Sequence, residues 1–438
     1  MSLQIIFFIL LSFAAFSYAG RRFYKIYRLI LLGKEEDLSD HAGKRWANML
    51  RFALAQGKMF VRPVAGFFHL FIYLAFLFTQ IELIEIIVDG ITGSHRSFAP
   101  ILGGLYTFLI NFIEFLSCFA FFATVVFLFR RNIVKVLRFQ KPELSGWPSL
   151  DANLILLGEI LLITGIFLMN GADQALQMAN HPSYHHTGSF YLSRFFVSGS
   201  FSSFSADWLM IIERMGWWLH YMVILGFICY LSYSKHLHIF LAFPNSYFSS
   251  LEPRGKLTNM AAIENEVRSM LGQEARHSGA KEDFGVKDIF DLSWRNLLQA
   301  YSCTECGRCT DVCPANQTGK KLSPRKIMMD IRDRMEEVGQ NINEFQERNA
   351  QAVFESKDNK SLFDYISKEE IYACTSCNAC VEACPILINP LEPILQMRRY
   401  DILVNSGGPS EWLPMFNSLE NNQAVWSISE ERTAWIQS

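Results

Sequence analysis

Two copies of one cysteine pattern set the tightest constraint on how this chain can fold. Cys303-Thr-Glu-Cys306-Gly-Arg-Cys309-Thr-Asp-Val-Cys313-Pro314 is matched by Cys374-Thr-Ser-Cys377-Asn-Ala-Cys380-Val-Glu-Ala-Cys384-Pro385, and together they hold eight of the ten cysteines. Three cysteines spaced by two residues can wrap one face of a small inorganic cubane, and the fourth ligand must come from elsewhere. The C-x2-C-x2-C-x3-C-P run binds [4Fe–4S] clusters, and where two occur the fourth cysteine of each run serves the other cluster. That rule assigns Cys303, Cys306, Cys309 and Cys384 to one cluster and Cys374, Cys377, Cys380 and Cys313 to the other. Each run completes the other's site, so the two must meet in the fold. Pro314 and Pro385 turn the chain away after the fourth ligand. Structural zinc is the alternative, but it joins separated C-x2-C pairs rather than four cysteines in one short run. Disulfides belong to an oxidising compartment. Cys118 and Cys229 lie in apolar stretches and read as inert core residues.

The 438 residues are 50% hydrophobic, with a net charge of −2 that offers no field for nucleic acid. Long apolar runs crowd into residues 1–240, and the rest reads as soluble. Five runs reach the roughly 20 residues that a helix needs to cross a bilayer: Leu3–Ala19, Val64–Val88, Ile101–Phe129, Asn153–Gly171 and Trp208–Ser234. The first lacks a basic leader and is followed by Arg21, Arg22, Lys25 and Arg28, the order of an uncleaved anchor with its N-terminus outside. Residues 20–62 hold ten Lys or Arg and residues 130–152 hold five, whereas 89–100 and 172–207 hold one each, Arg96 and Arg194. The positive-inside rule makes the basic loops and the cysteine-bearing part cytoplasmic, on an inner (cytoplasmic) membrane. Trp147, Trp208, Trp217 and Trp218 fall near span ends and are candidates for the membrane interface.

Histidine inside a span is costly and needs a partner. His69 lies in the second span, His220 in the fifth, and His236 and His238 at its inner end. Imidazoles from facing helices can hold haem b; hydrogen-bonded structural histidines are the alternative. On a continuous helix His220 and His238, 18 residues apart, share one face about 27 Å apart, and His236 points away. His69 is then expected to pair with His220, with His238 at a second site. His181, His185 and His186 read as a surface loop. Glu82, Glu85, Glu114 and Glu159 also fall within or near spans. They are candidates for proton relay, or for hydrogen bonds between helices.

The fifth-span histidine pair resembles the gamma (cytochrome b) subunit of respiratory nitrate reductase, a five-helix bundle with two haems. That family places two histidines ten residues apart in its second helix. His69 matches the later one and Met59 stands at the earlier, so Met59 is either a second-haem ligand or marks an empty site. Residues 295–400 resemble the two-cluster ferredoxin subunit of heterodisulfide reductase. The likeness rests on both cysteine runs, Ser323-Pro324-Arg325-Lys326-Ile327 and Asn389-Pro390. The fused arrangement resembles membrane-bound heterodisulfide-reductase-like iron–sulfur oxidoreductases, some of them quinone reductases fed by electron-transferring flavoprotein. Such enzymes carry a module with adjacent paired cysteines. This sequence has none, so the resemblance implies a cysteine-rich iron–sulfur partner subunit.

These readings predict an all-α chain: a five-helix transmembrane cytochrome b-like bundle (1–240), a linker (241–294), a cytoplasmic α-helical ferredoxin-like domain with two [4Fe–4S] clusters (295–400) and a polar tail (401–438). The linker should hold an amphipathic helix over Asn259–Gln273, and helices over 324–338 and 361–372 should brace the clusters. Trp412, Trp426 and Trp435 mark the tail as a docking or packing segment. The chain reads as an oxidoreductase subunit linking a cytoplasmic donor to membrane quinone. A membrane redox sensor without turnover, or a haem-free flavoprotein-fed quinone reductase, is the rival reading.

Overall fold

In the computed structural model, residues 3–201, 203–276, 284–341, 358–425 and 433–436 are described. No strand occurs among them beyond one isolated parallel bridge, Lys34 to Ser293. Five helices are long and apolar enough to cross a membrane: α1 (Leu3–Ile30), α2 (Pro63–Thr92), α3 (Gly104–Asn132), α4 (Trp147–Met178) and α5 (Ala206–Tyr230). Further helices include α6 (His238–Tyr247), α7 (Ala261–Met270), α8 (Trp294–Ser302), α9 (Pro324–Asn341) and α10 (Leu391–Leu403). Local signals set several ends. Pro63 opens α2 with its φ already helical, and Gly93 closes it at φ 75. Ser205 caps α5 by accepting from the Trp208 amide.

Glycine lets α4 and α5 touch backbone to backbone, as small residues do between membrane helices. A β-carbon on Gly216 would lie 2.5 Å from the Met169 amide nitrogen, and one on Gly165 would lie 2.9 Å from that of His220. Gly216→Val should therefore force the helices apart. Over-packing costs about 1–3 kcal/mol even where side chains can yield, and here backbone blocks the way. A clear loss of thermal stability in detergent is expected, while Gly226→Ala, which meets nothing within 4 Å, should be silent. Aromatic rings fill the other seams. Phe8 of α1 stacks on Tyr221 of α5 at 4.6 Å, and Phe71 of α2 on Phe119 of α3 at 4.7 Å. Trp217 is buried against Phe8 rather than placed at an interface. Cys118 faces outward from α3, so it is not the core residue expected; Cys229 is half-buried.

Packing is continuous across residue 240, where composition changes. Ile26, Leu29 and Ile30 at the C-terminal end of α1 share one core with Leu237, Ala242, Leu297, Ile327, Ile331, Ile394 and Met397. The expected brace over 324–338 is α9. That over 361–372 is a 3-10 turn, Leu362–Asp364, and a short helix, Lys368–Tyr372. The amphipathic linker helix is α7. Trp412 starts a helix to Asn422 and packs on Tyr372 at 5.5 Å. Trp435 is exposed, and Trp426 lies outside the described residues.

The largest departure is at the end of α5. The helix stops at Tyr230, runs through a 3-10 turn (Leu231–Tyr233), turns extended at Ser234 and restarts. The Ser234 side chain accepts from the His236 amide at 3.0 Å and so nucleates the new turn. His220 and His238 are therefore not on one continuous helix, and the 18-residue periodicity argument does not hold.

Candidate iron–sulfur and histidine sites

The two cysteine runs fold into matching loops. Glu305 and Gly307 in the first, and Ser376 and Asn378 in the second, take positive φ at equivalent places, 54° and 71° against 56° and 60°. This left-handed pair bends each run so that three thiols face inward. At Gly307 a β-carbon would lie 2.5 Å from Arg325 Nη1, so a side chain there would have to displace that guanidinium.

The loops meet as the crossed assignment demands. One cavity is lined by Cys303, Cys306, Cys309 and Cys384, and a separate one by Cys313, Cys374, Cys377 and Cys380. Among the described residues no three His, Cys, Asp or Glu side chains converge on a single ion; each set of thiols surrounds a space instead. Burial pushes the Cys303 thiol up to about 11 and those of Cys380 and Cys384 up to about 12. Burial raises Cys309 further, helped by Cys303, Cys306, Cys384 and Cys380 of the other set. Bare thiolates are untenable here, and bonding to iron is what would hold them deprotonated. Backbone amides of Ser376 and Ile388 already point at Cys374 Sγ (3.4 Å) and Cys384 Sγ (3.3 Å). Such hydrogen bonds tune cluster potential. The residues fit two [4Fe–4S] clusters.

The first loop is bolted to the membrane bundle. Arg308 donates to the carbonyls of Lys58 (2.9 Å) and Met59 (3.3 Å) just before α2. Arg325, fully buried, donates to the Arg138 carbonyl (2.9 Å) beyond α3 and to Glu143 (2.7 Å). Glu305 pairs with Lys235 beyond α5 and with Arg332. Burial disfavours its charge, but these two cations outweigh burial and hold the carboxyl below its ordinary value. The second loop instead carries Cys377, which is exposed. Sequence reasoning missed the roles of Arg308, Glu305 and Arg325; the first two are polar residues within the cysteine run, and Arg325 stood in the Ser323–Ile327 stretch quoted for the family resemblance.

The histidines divide differently from expectation. His69, His236 and His238 are electrostatic neighbours, each opposing protonation of another, and the His236 and His238 rings are 6.0 Å apart. His220 instead sits against α4, with its Nδ1 donating to the Leu162 carbonyl at 2.9 Å. The electrostatic neighbourhood thus favours a pairing of His69 with His238 over one with His220. His238 Nδ1 donates to the Lys235 carbonyl (3.0 Å), and His69 Nδ1 bonds Gln56 Oε1 (3.2 Å). In each of the three, Nδ1 is held by an oxygen and Nε2 is left for a metal, the usual arrangement of ligating histidine. Burial lowers His238, and burial with His238 and His69 alongside takes His236 down to about 3, so both are neutral imidazoles. The set fits haem ligation. Met59 does not join it: its Sδ lies 3.7 Å from Arg308 Nη2, on a turn before α2.

Comparison with known proteins agrees with the cysteine geometry. The 4Fe-4S dicluster domain family matches residues 299–388. The chain is 28% identical over 94% of its length to an EtfAB:quinone oxidoreductase of Syntrophomonas wolfei. It is 26% identical over 93% to a protein of Bacillus subtilis described as a probable iron-sulfur-binding oxidoreductase, FadF. It spans 57% of the length of each. Over 23% of the chain and 46% of the relative it is 28% identical to one subunit of the ferredoxin:CoB-CoM heterodisulfide reductase of Methanosarcina mazei. No solved structure matches. The chain therefore carries a 4Fe-4S dicluster domain joined to five apolar helices, and its relatives are iron–sulfur oxidoreductases.

Proposed function

We propose that this chain is the membrane electron-transfer subunit of a quinone-linked oxidoreductase, with its cluster domain on the cytoplasmic side of the inner membrane. One observation carries the reading: one cysteine cradle is fastened to the inner ends of three apolar helices while the other presents an exposed cysteine. Bound [4Fe–4S] clusters and haem b would carry electrons singly between a cytoplasmic donor and membrane quinone. Cys303, Cys306, Cys309 and Cys384 hold the membrane-side cluster, and Cys313, Cys374, Cys377 and Cys380 hold the one facing the donor. His69 and His238 are the haem ligands that the grouping favours. Lys235 ties this site to the cradle: its carbonyl orients His238 and its ammonium holds Glu305.

The name of the Syntrophomonas relative supports quinone as acceptor and electron-transferring flavoprotein as source. The chain spans little more than half of that relative and has no adjacent cysteines. We place the donor-side chemistry in a cysteine-rich iron–sulfur module outside these residues. The test is iron, acid-labile sulfide and pyridine haemochrome on protein purified from membranes. Iron and sulfide for two cubanes with haem b are expected. The same clusters without haem would sink the histidine assignment and leave direct cluster-to-quinone transfer, or a sensor.

A further inference from the structure

The end of the bundle remote from the cluster domain concentrates charge where charge is costly. Glu82 and Glu85 of α2, Glu114 of α3 and Asp173 of α4 are each at most 2% exposed. They surround one guanidinium, Arg96, from the loop between α2 and α3. Arg96 Nε donates to Asp173 at 3.0 Å, Nη2 to Asn170 Oδ1 at 2.5 Å and Nη1 to the Tyr106 hydroxyl at 3.3 Å. Its Nη1 is 3.7 Å from Glu82 Oε1. Four carboxylates against one guanidinium leave a surplus of negative charge in a medium that does not tolerate it.

Hydrogen bonds identify which acid relieves the surplus. Glu85 accepts from the Phe98 amide (2.9 Å) and the Tyr106 hydroxyl (2.8 Å). Glu114 accepts from the Ser193 amide (3.2 Å) and Asn170 Nδ2 (3.1 Å), and Asp173 from Arg96 and from Gln177 (3.0 Å). Both oxygens of Glu82 are buried with no hydrogen-bond partner among the described residues, and so is the Ser117 hydroxyl, one turn from Glu114 on α3. The charged groups around Glu82 are Arg96, Glu85 and Glu114. An ionised carboxylate without donors cannot persist there, whereas a carboxylic acid can.

Glu82 is ten residues from the Thr92 end of α2, about 15 Å along the axis. From Arg96 polar groups lead outward. Asp173 is 3.6 Å from His95 Nε2, whose ring lies 4.8 Å from that of Tyr184; both ring nitrogens of His95 are buried without a hydrogen-bond partner among the described residues, so a proton crosses here only through an intervening water. The Tyr184 hydroxyl donates to Glu213 at 3.2 Å, and Arg214, 37% exposed, pairs with Glu213.

We propose that Glu82 holds the proton that the quinone step consumes and is refilled from the far face through the Asp173–His95–Tyr184–Glu213 chain. This rests on the quinone reading above. Reducing a quinone to a quinol takes two electrons and two protons. The electrons come from a reduced flavoprotein-class donor through this chain. For each proton, the Glu82 O–H bond breaks as a quinol O–H bond forms, and the carboxylate left beside Arg96 is reprotonated from outside.

The test uses the full chain reconstituted in lipid. At neutral pH, infrared difference spectra should show a protonated carboxyl C=O band that Glu82→Gln lacks and Glu85→Gln keeps. With clusters reduced by dithionite, Glu82→Gln should slow reduction of a short-chain quinone by about 10²-fold, the lower range for loss of a general acid, with iron content unchanged. Glu82→Asp should recover part of the rate and keep a shifted band, which also covers a misfolded glutamine variant. A band that persists in Glu82→Gln overturns the protonation assignment. A lost band with unchanged turnover overturns the proton-donor role. Absence of quinone turnover in the unaltered protein overturns the quinone reading, while the infrared result still decides whether Glu82 carries the proton.

Discussion

Cys384→Ala removes half of the cluster iron, and the cluster lost is the one built on the other run. The crossed cradle requires it, because Cys384 lines one cavity with Cys303, Cys306 and Cys309 rather than with its sequence neighbours. Paired variants make the assignment readable from iron content alone. Cys384→Ala combined with Cys303→Ala should cost no more iron than either change, since both empty one site. Combined with Cys374→Ala it should remove nearly all. If each run held its own cluster, the two outcomes would exchange. Non-additivity of this kind is the signature of residues acting as one unit. The functional effect is equally large. The emptied cradle is the one that Arg308, Arg325 and Glu305 fasten to the bundle, so the remaining cluster should still be reduced by dithionite while quinone reduction falls to background. Loss of turnover with all iron retained would place Cys384 outside the ligand set.

What was legible in the sequence follows from the range over which each feature is determined. The cysteine runs could be read because ligand spacing is a local matter: the bend at Gly307 and Asn378 is written within each run. The five helices could be read because long apolar stretches have few other fates. Glu82, Glu85 and Glu114 stood out because acids are rare in such stretches. Their common partner did not: Arg96 reads as a lone basic residue of an outer loop, and only the fold carries it back among four carboxylates. The periodicity argument for His220 and His238 failed for a specific reason. Residues 228–234 contain neither proline nor glycine, so nothing in the pattern announces the break that Ser234 makes. The family register of Met59 likewise said nothing of Arg308, 249 residues away, which donates to its sulfur at 3.7 Å. The basic flank after the first span was read as a cytoplasmic signal alone, yet Ile26, Leu29 and Ile30 of the same stretch anchor the cluster domain.

His69→Ala and His238→Ala should each abolish the same haem signal, and the double variant should lose no more than either single one. The two imidazoles lie toward the cluster-domain end of the bundle, and each has Nδ1 held by an oxygen, so each would offer Nε2 to one iron. Losing one axial ligand from such a site typically costs the haem or converts it to a high-spin form, which optical spectra report without any turnover. The pairing expected from helix periodicity makes the opposite forecast: His220→Ala would then match His69→Ala, and His238→Ala would spare that haem. His220→Ala is a clean comparison. The close approach at Gly165 is to the amide nitrogen and β-carbon of His220, which alanine retains, so the α4–α5 seam survives and only the imidazole is lost. Added imidazole should restore part of the low-spin spectrum in His69→Ala by filling the vacated space. In all three variants non-haem iron and acid-labile sulfide should be unchanged, which separates loss of a ligand from loss of the fold. Retention of the full haemochrome in both His69→Ala and His238→Ala would reduce these residues to hydrogen-bonded structural histidines, with Gln56 and the Lys235 carbonyl as their whole explanation.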